Sequence, residues 1–209
     1  MNKFRNIAFA TFAVLAATNV KADESLTIFY ATTDIDLSAG GTTIKAADLD
    51  GFGLAASLAL SEDVSLLLGY TSLKGDVLTF ASTLSSMDLS LAYDIHNDLS
   101  FKEGSGTRLR AGIGYGSTKL ETKIGAITFS DSVKGAILGA NFEAAISEKI
   151  SVKASVAGML KDFKPTYGIG GAYKVGGGKV TLGYSAQEEK VAGVTIKGSG
   201  FNIGYTFDY

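Results

Sequence analysis

The 209-residue chain contains no cysteine and no tryptophan, and Pro165 is its single proline. Without cysteine there are no disulfides, so the fold depends on burial or on a sheet that closes its own hydrogen bonds. The formal net charge is −2, and the absence of a strongly basic patch argues against nucleic acid as a partner. Beyond the N-terminal segment, no stretch approaches the ~18 consecutive apolar residues of a membrane-spanning helix. A helical membrane protein is therefore excluded.

The first 22 residues differ from the rest of the chain. Lys3 and Arg5 precede a short apolar run, and Ala22 follows at the small-residue position of a cleavage site. This order is typical of a secretory signal peptide. A retained membrane anchor is the weaker alternative, because the run has about half the ~20 residues that a spanning helix needs. We expect a signal peptide over 1–22 and a single exported domain over 23–209.

Alternation of apolar and polar residues dominates the exported domain, and no convincing run of helical period occurs. This two-residue period is that of a β-strand. The segments "FGLAASLAL" and "VSLLLGY" are separated only by three residues, so Leu58 faces Leu66 across a hairpin and both apolar sets share one side. Ten such segments begin near residues 26, 52, 64, 87, 109, 136, 150, 167, 180 and 201.

The connections between these segments alternate in length. Short turns are predicted at 61–63, 147–149 and 176–178, with a medium one near 96–106 and longer loops at 36–50, 73–84, 119–133 and 188–193. Short turns at one rim, long loops at the other and an even strand count are typical of outer-membrane barrels. We therefore predict an all-β, up-and-down antiparallel transmembrane β-barrel of ten strands, with eight strands as the alternative and both termini in the periplasm.

A water-soluble barrel has the same alternation with its faces reversed. Two observations favour the membrane: the apolar segments have about the 9–11 residues of a tilted crossing, and the chain ends on an aromatic strand. A third is that the face opposite the apolar one consists of small residues, which suit a crowded lumen better than a solvated exterior. These residues are Ala55, Ser57, Gly112, Gly114, Gly116, Gly168, Gly170, Gly183 and Gly204.

The chain closes on "KGSGFNIGYTFDY", where large apolar residues stand at every second position. With the signal peptide and the up-and-down strands, this ending resembles the small outer-membrane β-barrel family of Gram-negative bacteria, which includes porin-like and OmpA-type barrels. The resemblance implies that the barrel-assembly machinery reads the final strand as an assembly signal, carried by Phe201, Tyr205, Phe207 and Tyr209. It also implies an outer-membrane location. Because tryptophan is lacking, the aromatic girdle at the membrane interface would rest on tyrosine and phenylalanine.

The sequence offers little for catalysis. Outer-membrane barrel enzymes of the kind that this resemblance implies use histidine with serine or aspartate near the outer rim, whereas His96, the single histidine, falls in a predicted periplasmic turn, "DIHND". The glycine-rich strings "GIGYG" and "GGGK" lack the spacing and context of nucleotide-binding loops. We expect no enzymatic activity and no cofactor.

Acidic residues gather at the predicted outer rim, where Asp34, Asp36, Asp48 and Asp50 meet across the first hairpin. Clusters of carboxylate oxygens favour divalent cations, so these residues form a weak candidate cation site. A solvated loop base is the alternative. Lysines near the same rim, such as Lys74 and Lys119, are candidates for contact with anionic lipopolysaccharide, and solvated loops explain them nearly as well.

Three charges are predicted to meet inside the barrel. The turn at 147–149 places Glu143 opposite Lys153 on the inward face, and Arg110 faces inward on the preceding strand. We expect Arg110, Glu143 and Lys153 to form a buried ionic cluster that plugs the lumen, because a lone charge there is costly. A wet channel with separately solvated charges is the alternative.

These expectations give three hypotheses for function. The favoured one is a non-enzymatic outer-membrane barrel whose narrow polar lumen is sealed or passes only small solutes. The second is a structural or adhesin-like protein that interacts through its extracellular loops, and the third is a lipid-modifying enzyme. The expected partners are membrane lipid, lipopolysaccharide and the assembly machinery. A monomer is favoured.

Overall fold

A computed structural model describes residues 24–160, 165–191 and 194–208 and folds them into a closed antiparallel β-barrel. Its strands are β1 (Ser25–Ala39), β2 (Thr42–Ala59), β3 (Val64–Val77), β4 (Phe80–Asn97), β5 (Thr107–Ile124), β6 (Ile127–Ala145), β7 (Ile150–Met159), β8 (Thr166–Val175), β9 (Gly178–Val191) and β10 (Val194–Asp208). Each strand pairs with its neighbours in sequence, and β1 pairs with β10 to close the barrel. The prediction of a ten-stranded up-and-down barrel is confirmed, and the eight-stranded alternative is wrong.

Both ends of the barrel chain lie at the same rim, where Ser25 pairs with Asp208. We call this rim the terminal end and the opposite rim the distal end. The described residues contain no helix that is long and apolar enough to span a membrane. The predicted signal peptide and Tyr209 lie outside the described residues.

At the distal end, the strands continue where the sequence suggests long loops. Three of the four predicted long loops are strand nearly throughout, and the turns within them shrink to Gly40–Gly41, Leu78–Thr79 and Gly125–Ala126. As a result β6 reaches 19 residues, although about 9–11 residues suffice for a membrane crossing. The prediction of long loops over these segments is wrong. It rests on apolar residues at one set of alternate positions, and in each of these strands the apolar residues move to the other set partway along.

Two of these tight turns differ in their chemistry. Two-residue hairpin turns of type I′ require positive φ at both central residues, and Gly40 and Gly41 supply it, with φ of 58° and 84°. The β3–β4 turn instead uses Leu78 at φ 58° and Thr79 at φ 117°. A β-branched residue at such an angle is strained, so this turn is a local weak point of the backbone.

The outward-facing side chains divide the wall into two sections. Toward the terminal end they form an apolar band. Twelve of its residues are each at least 39% exposed, namely Ile28, Leu54, Leu58, Leu68, Leu89, Leu91, Ile113, Leu138, Val152, Ile169, Leu182 and Ile203. Aromatic residues mark the distal border of the band, among them Tyr30, Phe52, Tyr70, Tyr115, Tyr167 and Phe201. Beyond that border, in what we call the distal section, the outward positions are polar and include Asp34, Asp50, Lys74, Lys119, Glu121 and Lys134.

The inward-facing side chains change in the opposite sense. Inside the apolar band they are small or polar, such as Thr27, Ser57, Asp88, Thr181 and Thr206. Inside the distal section, one hydrophobic cluster includes six aliphatic residues that are each 7% exposed or less, namely Ile35, Leu49, Leu73, Val77, Leu84 and Leu120. We call these six residues the aliphatic plug. The same strands thus exchange their apolar and polar faces at the aromatic border.

Candidate functional site

The lumen near the terminal end is built around Asp94. Arg108 donates from Nε and Nη2 to the two carboxylate oxygens at 2.9 and 2.5 Å, and Arg110 donates from Nε to Oδ1 at 2.8 Å. Each of the three side chains is only 2% exposed. One buried carboxylate therefore holds two buried guanidinium groups, an arrangement in which the loss of Asp94 would leave both charges uncompensated.

The backbone explains how Asp94 reaches both arginines. Asp94 is the register partner of Arg110, whereas the next pair is His96 with Leu109, so β4 bulges at this point. A bulge bends the strand and redirects the side chains beside it. Arg108 lies two residues closer to the terminal end than Arg110, on the same inward face.

Glu143 occupies the neighbouring part of the lumen. It is 3% exposed and accepts a 2.6 Å hydrogen bond from the Ser151 hydroxyl. Its register partner on β7 is Lys153, and its partner on β5 is Arg108. The structure therefore places Glu143 beside Lys153 but attaches Arg110 to Asp94, because Arg110 lies one inward position further from the terminal end than the sequence reasoning assumed.

Lys179 completes the charged part of the lumen. Its ammonium lies 3.2 Å from an Asp208 carboxylate oxygen and 5.0 Å from the centre of the Phe101 ring, and its side chain is 2% exposed. Both contacts stabilise a buried cation. We call six of the inward-facing charges at this end the ionic layer, namely Asp94, Arg108, Arg110, Glu143, Lys153 and Lys179.

The sequence reasoning missed Asp94, Arg108 and Lys179 as lumen residues, although the alternation contained the signal. Tyr93 and Ile95 face outward, so Asp94 between them faces inward, and Arg108 shares the parity of Arg110. Their pairing was not available from alternation, because it depends on the β4–β5 register and on the bulge in β4.

A cavity of about 70 Å³ lies between the ionic layer and the middle of the barrel. Arg110, Asn141, Ser90 and Asp88 are among the residues that line it. Arg110 Nη2 and Asp88 Oδ1 have no hydrogen-bond partner among the described protein atoms. The four polar side chains and this volume suit a few water molecules, so the middle of the lumen can be hydrated locally without forming an open channel.

Aromatic and aliphatic side chains fill the lumen beyond this level. Phe29 is 4% exposed, and its ring lies against Gly53, where a Cβ atom would collide with it. The missing side chain at Gly53 thus makes room for an aromatic ring inside the barrel. The aliphatic plug follows toward the distal end.

The four rim aspartates lie on one wall, but a lysine stands among them. The Lys45 ammonium is 2.8 Å from Asp48 and 3.0 Å from Asp34. These hydrogen bonds, with the one to Asp48 the larger cause, raise the pKa of Lys45. Asp36 is the register partner of Lys45, and Asp50 accepts a 2.7 Å hydrogen bond from Tyr30. Among the described residues, no group of His, Asp and Glu is arranged to hold a metal ion.

His96 lies at the terminal end, within the last residues of β4 rather than in a turn. Its Nε2 is 3.1 Å from an Asp98 carboxylate oxygen, and both side chains are more than half exposed. The backbone N–H of Thr107 donates to Asp98 and is the largest cause that lowers the pKa of this carboxyl, with His96 a smaller one. The geometry is that of a hydrogen-bonded connection between β4 and β5.

The predicted assembly residues on β10 face outward. The Phe201 ring packs on Tyr184 at 4.8 Å between centres, and the Tyr205 ring packs on Phe207 at 4.7 Å. Tyr205 also donates its hydroxyl to the Val175 carbonyl at 3.1 Å. Three of the four predicted residues therefore form part of the apolar band, and Tyr209 lies outside the described residues.

Comparison with known proteins gives no relative by sequence, since no family model and no curated protein matches the chain. Several solved structures are similar in fold. Neisserial surface protein A matches with 13% identity and a TM-score of 0.46 over 88% of this chain and 97% of its own. The outer membrane protease OmpT of Escherichia coli matches with 10% identity and a TM-score of 0.49 over 93% and 100%. The outer membrane protein OprG of Pseudomonas aeruginosa matches with 13% identity and a TM-score of 0.41 over 90% and 97%. Similarity at this level carries no argument about function.

Proposed function

We propose that the protein is a non-enzymatic β-barrel of the bacterial outer membrane, with a closed lumen and a distal section that projects outside the cell. The apolar band supports the membrane placement. It covers about ten residues of each tilted strand, which corresponds to the ~25 Å apolar height of outer-membrane barrels. An aromatic border with charged residues beyond it is the expected boundary between lipid and water.

The aliphatic plug is the observation that supports a closed lumen. Its six side chains are 0–7% exposed and form one hydrophobic cluster with Phe29 and several alanines. An ion or polar solute would have to lose its hydration to cross the aliphatic plug. The ionic layer would be a second barrier to its passage at the terminal end.

Single-channel recording in planar bilayers tests this closure. The wild-type protein should give no discrete conductance steps. A variant with Leu73→Gly, Leu84→Gly and Leu120→Gly removes half of the plug from adjacent strands and should conduct. A variant with Leu58→Ala, Leu66→Ala and Leu91→Ala shortens side chains on the outside and serves as the matched control. Regular steps from the wild type would instead support a pore for small solutes.

A closed barrel needs another way to act, and the distal section supports surface interaction. Its hairpins continue past the aromatic border as paired strands, so they form a rigid platform rather than mobile loops. Deleting residues 36–48 should abolish adhesion of bacteria to host cells while the protein still shows a folded-versus-boiled gel shift. Unchanged adhesion by a folded variant would remove support for this role.

The enzymatic hypothesis finds less support in the geometry. His96 lies at the terminal end, far from the distal rim, and its described contact is with Asp98. Phospholipid and lipopolysaccharide should therefore show no turnover by the purified protein. Turnover that disappears in a His96→Ala variant would establish an enzyme.

Lipid, lipopolysaccharide and the barrel-assembly machinery remain the proposed partners of a monomer. The outward aromatic residues of β10 support the assembly role. Tyr209→Ser should lower the abundance of the protein in the outer membrane and induce periplasmic stress, whereas Ser199→Ala on the same strand should not. Normal abundance of the Tyr209 variant would exclude this role.

A further inference from the structure

Within the described residues, β7 and β8 do not continue into the wall of the distal section. β7 ends at Met159 and β8 begins at Thr166, whereas β6 and β9 on either side continue further toward the distal end. The last β6–β7 pair is Ile137 with Met159, so residues 127–136 of β6 pair with β5 alone within the described parts of the chain. We call residues 127–136 the free edge.

The backbone groups that the free edge presents can be assigned from the hydrogen bonds at the base of β6. The Ala145 N–H donates toward β5, to the Gly106 carbonyl at 3.0 Å, and the Ile146 N–H donates toward β7, to Ile150 at 2.8 Å. Because backbone groups alternate in direction along an unbulged strand, the N–H and C=O groups of the even-numbered residues point away from β5. These residues are Thr128, Ser130, Ser132, Lys134 and Ala136.

A side-chain contact supports this assignment. The Ser132 N–H donates to the Asp131 carboxylate at 2.8 Å. It would not be available for this hydrogen bond if it were donating to β5. The contact also holds the Asp131 carboxylate beside the free edge. Backbone groups that β5 does not bind and one negative charge therefore lie together on this side of β6.

The inner face behind the free edge is apolar and uncovered. Ile127 is 62% exposed and Phe129 is 53% exposed, and Ile124 on β5 is 43% exposed. These side chains face inward, where the plug residues of other strands are buried. In the part of the chain that the structure describes, neither β7 nor β8 continues far enough to cover them.

From these observations we propose that the free edge binds an extended segment of a partner protein as an additional antiparallel β-strand. An extended backbone is the chemical complement of unpaired strand groups, and alternate side chains supply specificity. The segment would direct apolar side chains inward over Phe129 and Ile127 and would carry one Lys or Arg opposite Asp131. This inference rests on the proposed exposure of the distal section outside the cell.

A second copy of the chain in the same membrane does not fit this edge. Two copies related by a twofold axis along the membrane normal would have β6 strands tilted in opposite senses. With tilts of about 35–45°, the two strands would cross at roughly 70–90° rather than continue one sheet. The occupant is therefore a segment of a different protein that approaches from outside the cell.

A synthetic peptide tests the inference on the purified full-length barrel in detergent. The probe "TAEVTKTVTV", labelled for fluorescence anisotropy, runs antiparallel to residues 127–136 and places its lysine opposite Asp131 and its valines on the inner face. The control peptide has the same composition with its alternation scrambled. The probe should bind at least tenfold more tightly, and equal binding of the two would overturn the proposal.

Substitutions on the free edge identify the binding strand. Ser130→Pro removes an N–H that β5 does not use, so the barrel should fold and the probe should bind at least tenfold more weakly. Ser130→Val keeps the N–H and should bind normally. Asp131→Lys should weaken the probe, and a peptide with glutamate in place of its lysine should restore binding. Normal binding by the Ser130→Pro variant, or no response to charge reversal, would contradict the proposal.

A folded-versus-boiled gel shift on every variant separates this inference from the proposed function. A barrel that shows the shift and is closed in bilayers but ignores the probe would refute the free-edge site alone. A barrel that binds the probe yet conducts would refute the closed lumen alone.

Discussion

The apolar band and the distal section use the same strands with opposite arrangements of polarity. Within the band, Leu182 faces outward and the neighbouring Thr181 is buried inside, whereas in the distal section Leu84 is buried and Thr83 faces outward. A strand exposes its apolar face to whichever surroundings exclude water. The comparison shows that strands β1–β6 invert their pattern at the aromatic border without a change of secondary structure, which is the pattern expected of a strand that passes from an apolar environment into an aqueous one.

The largest expected effect comes from the polar interior of the band. Asp94→Ala leaves Arg108 and Arg110 buried without their shared partner and should cost about 3–5 kcal/mol of unfolding free energy. Urea unfolding of the protein in lipid vesicles measures it. Adding Arg110→Ala should cost less than the sum of the single changes. A matched control is Asp63→Ala in an exposed turn, which should change stability by less than ~0.5 kcal/mol. Additive losses would mean that the charges are solvated separately.

The apolar interior of the distal section provides the next test. Leu84→Ala removes a plug side chain that is 1% exposed and should cost about 2–5 kcal/mol, as in the core of a soluble protein. The outward Leu89 on the same strand is 47% exposed, so Leu89→Ala should cost clearly less. Equal losses in urea unfolding would mean that the distal section has no core of its own.

Arginine placed on the outer surface distinguishes the two sections directly. Leu182→Arg should cost roughly 2–4 kcal/mol if that position lies near the bilayer midplane. Thr128→Arg, on the outer face of the distal section, should be close to neutral. Buried lumen positions such as Ser57 are unsuitable controls, because their side chains are 2% exposed and leave no room. A neutral Leu182→Arg variant would place that surface in water.

A smaller gain is expected at the strained β3–β4 turn. Thr79 has a φ of 117°, so Thr79→Gly should stabilise the barrel by about 1 kcal/mol through relief of backbone strain. Gly41→Thr in the β1–β2 turn is the converse change and should destabilise it by a similar amount. Urea midpoints that do not move in either variant would show that these turns tolerate strain without cost.

The smallest effect concerns the distal rim, where Lys45 takes the place of a bound cation. Lys45→Ala should leave Asp34 and Asp48 uncompensated and give the variant a weak affinity for Ca²⁺, on the order of millimolar. Isothermal titration should detect no Ca²⁺ binding by the wild type. Binding by the wild type, or none by the variant, would show that the rim carboxylates act independently of Lys45.

The sequence predicted the barrel well for strands whose inner and outer surroundings stay the same along their whole length. Strands β7 and β8 lie almost entirely within the band, and their alternation predicts their bounds to within a few residues. In β1–β6, the phase inversion at the aromatic border looked like the end of the strand, and the polar outward residues beyond it looked like loops. The full length of these strands can be predicted only if the apolar residues are allowed to move from one face of the strand to the other.

The lumen could be predicted in membership but not in pairing. Parity alone identified Arg110, Glu143 and Lys153 as inward-facing, and the same rule covers Asp94 and Arg108. Which charges meet depends on the register between strands joined by the longer 98–106 connection and on the β4 bulge, and neither is encoded in local alternation. The aliphatic plug is not predicted for a different reason, since five of its six residues fall in segments that the sequence predicts as loops.

The seam between β1 and β10 bears on how the barrel forms. It joins residues as distant as Thr27 and Thr206, whose hydroxyls meet at 2.8 Å across a separation of 179 positions. Closing a chain segment of that length costs about 4–5 kcal/mol in entropy, whereas each hairpin closes locally. Assembly should therefore proceed as a growing curved sheet with two open edges, and the seam should be the last contact made and the first to exchange its amide protons.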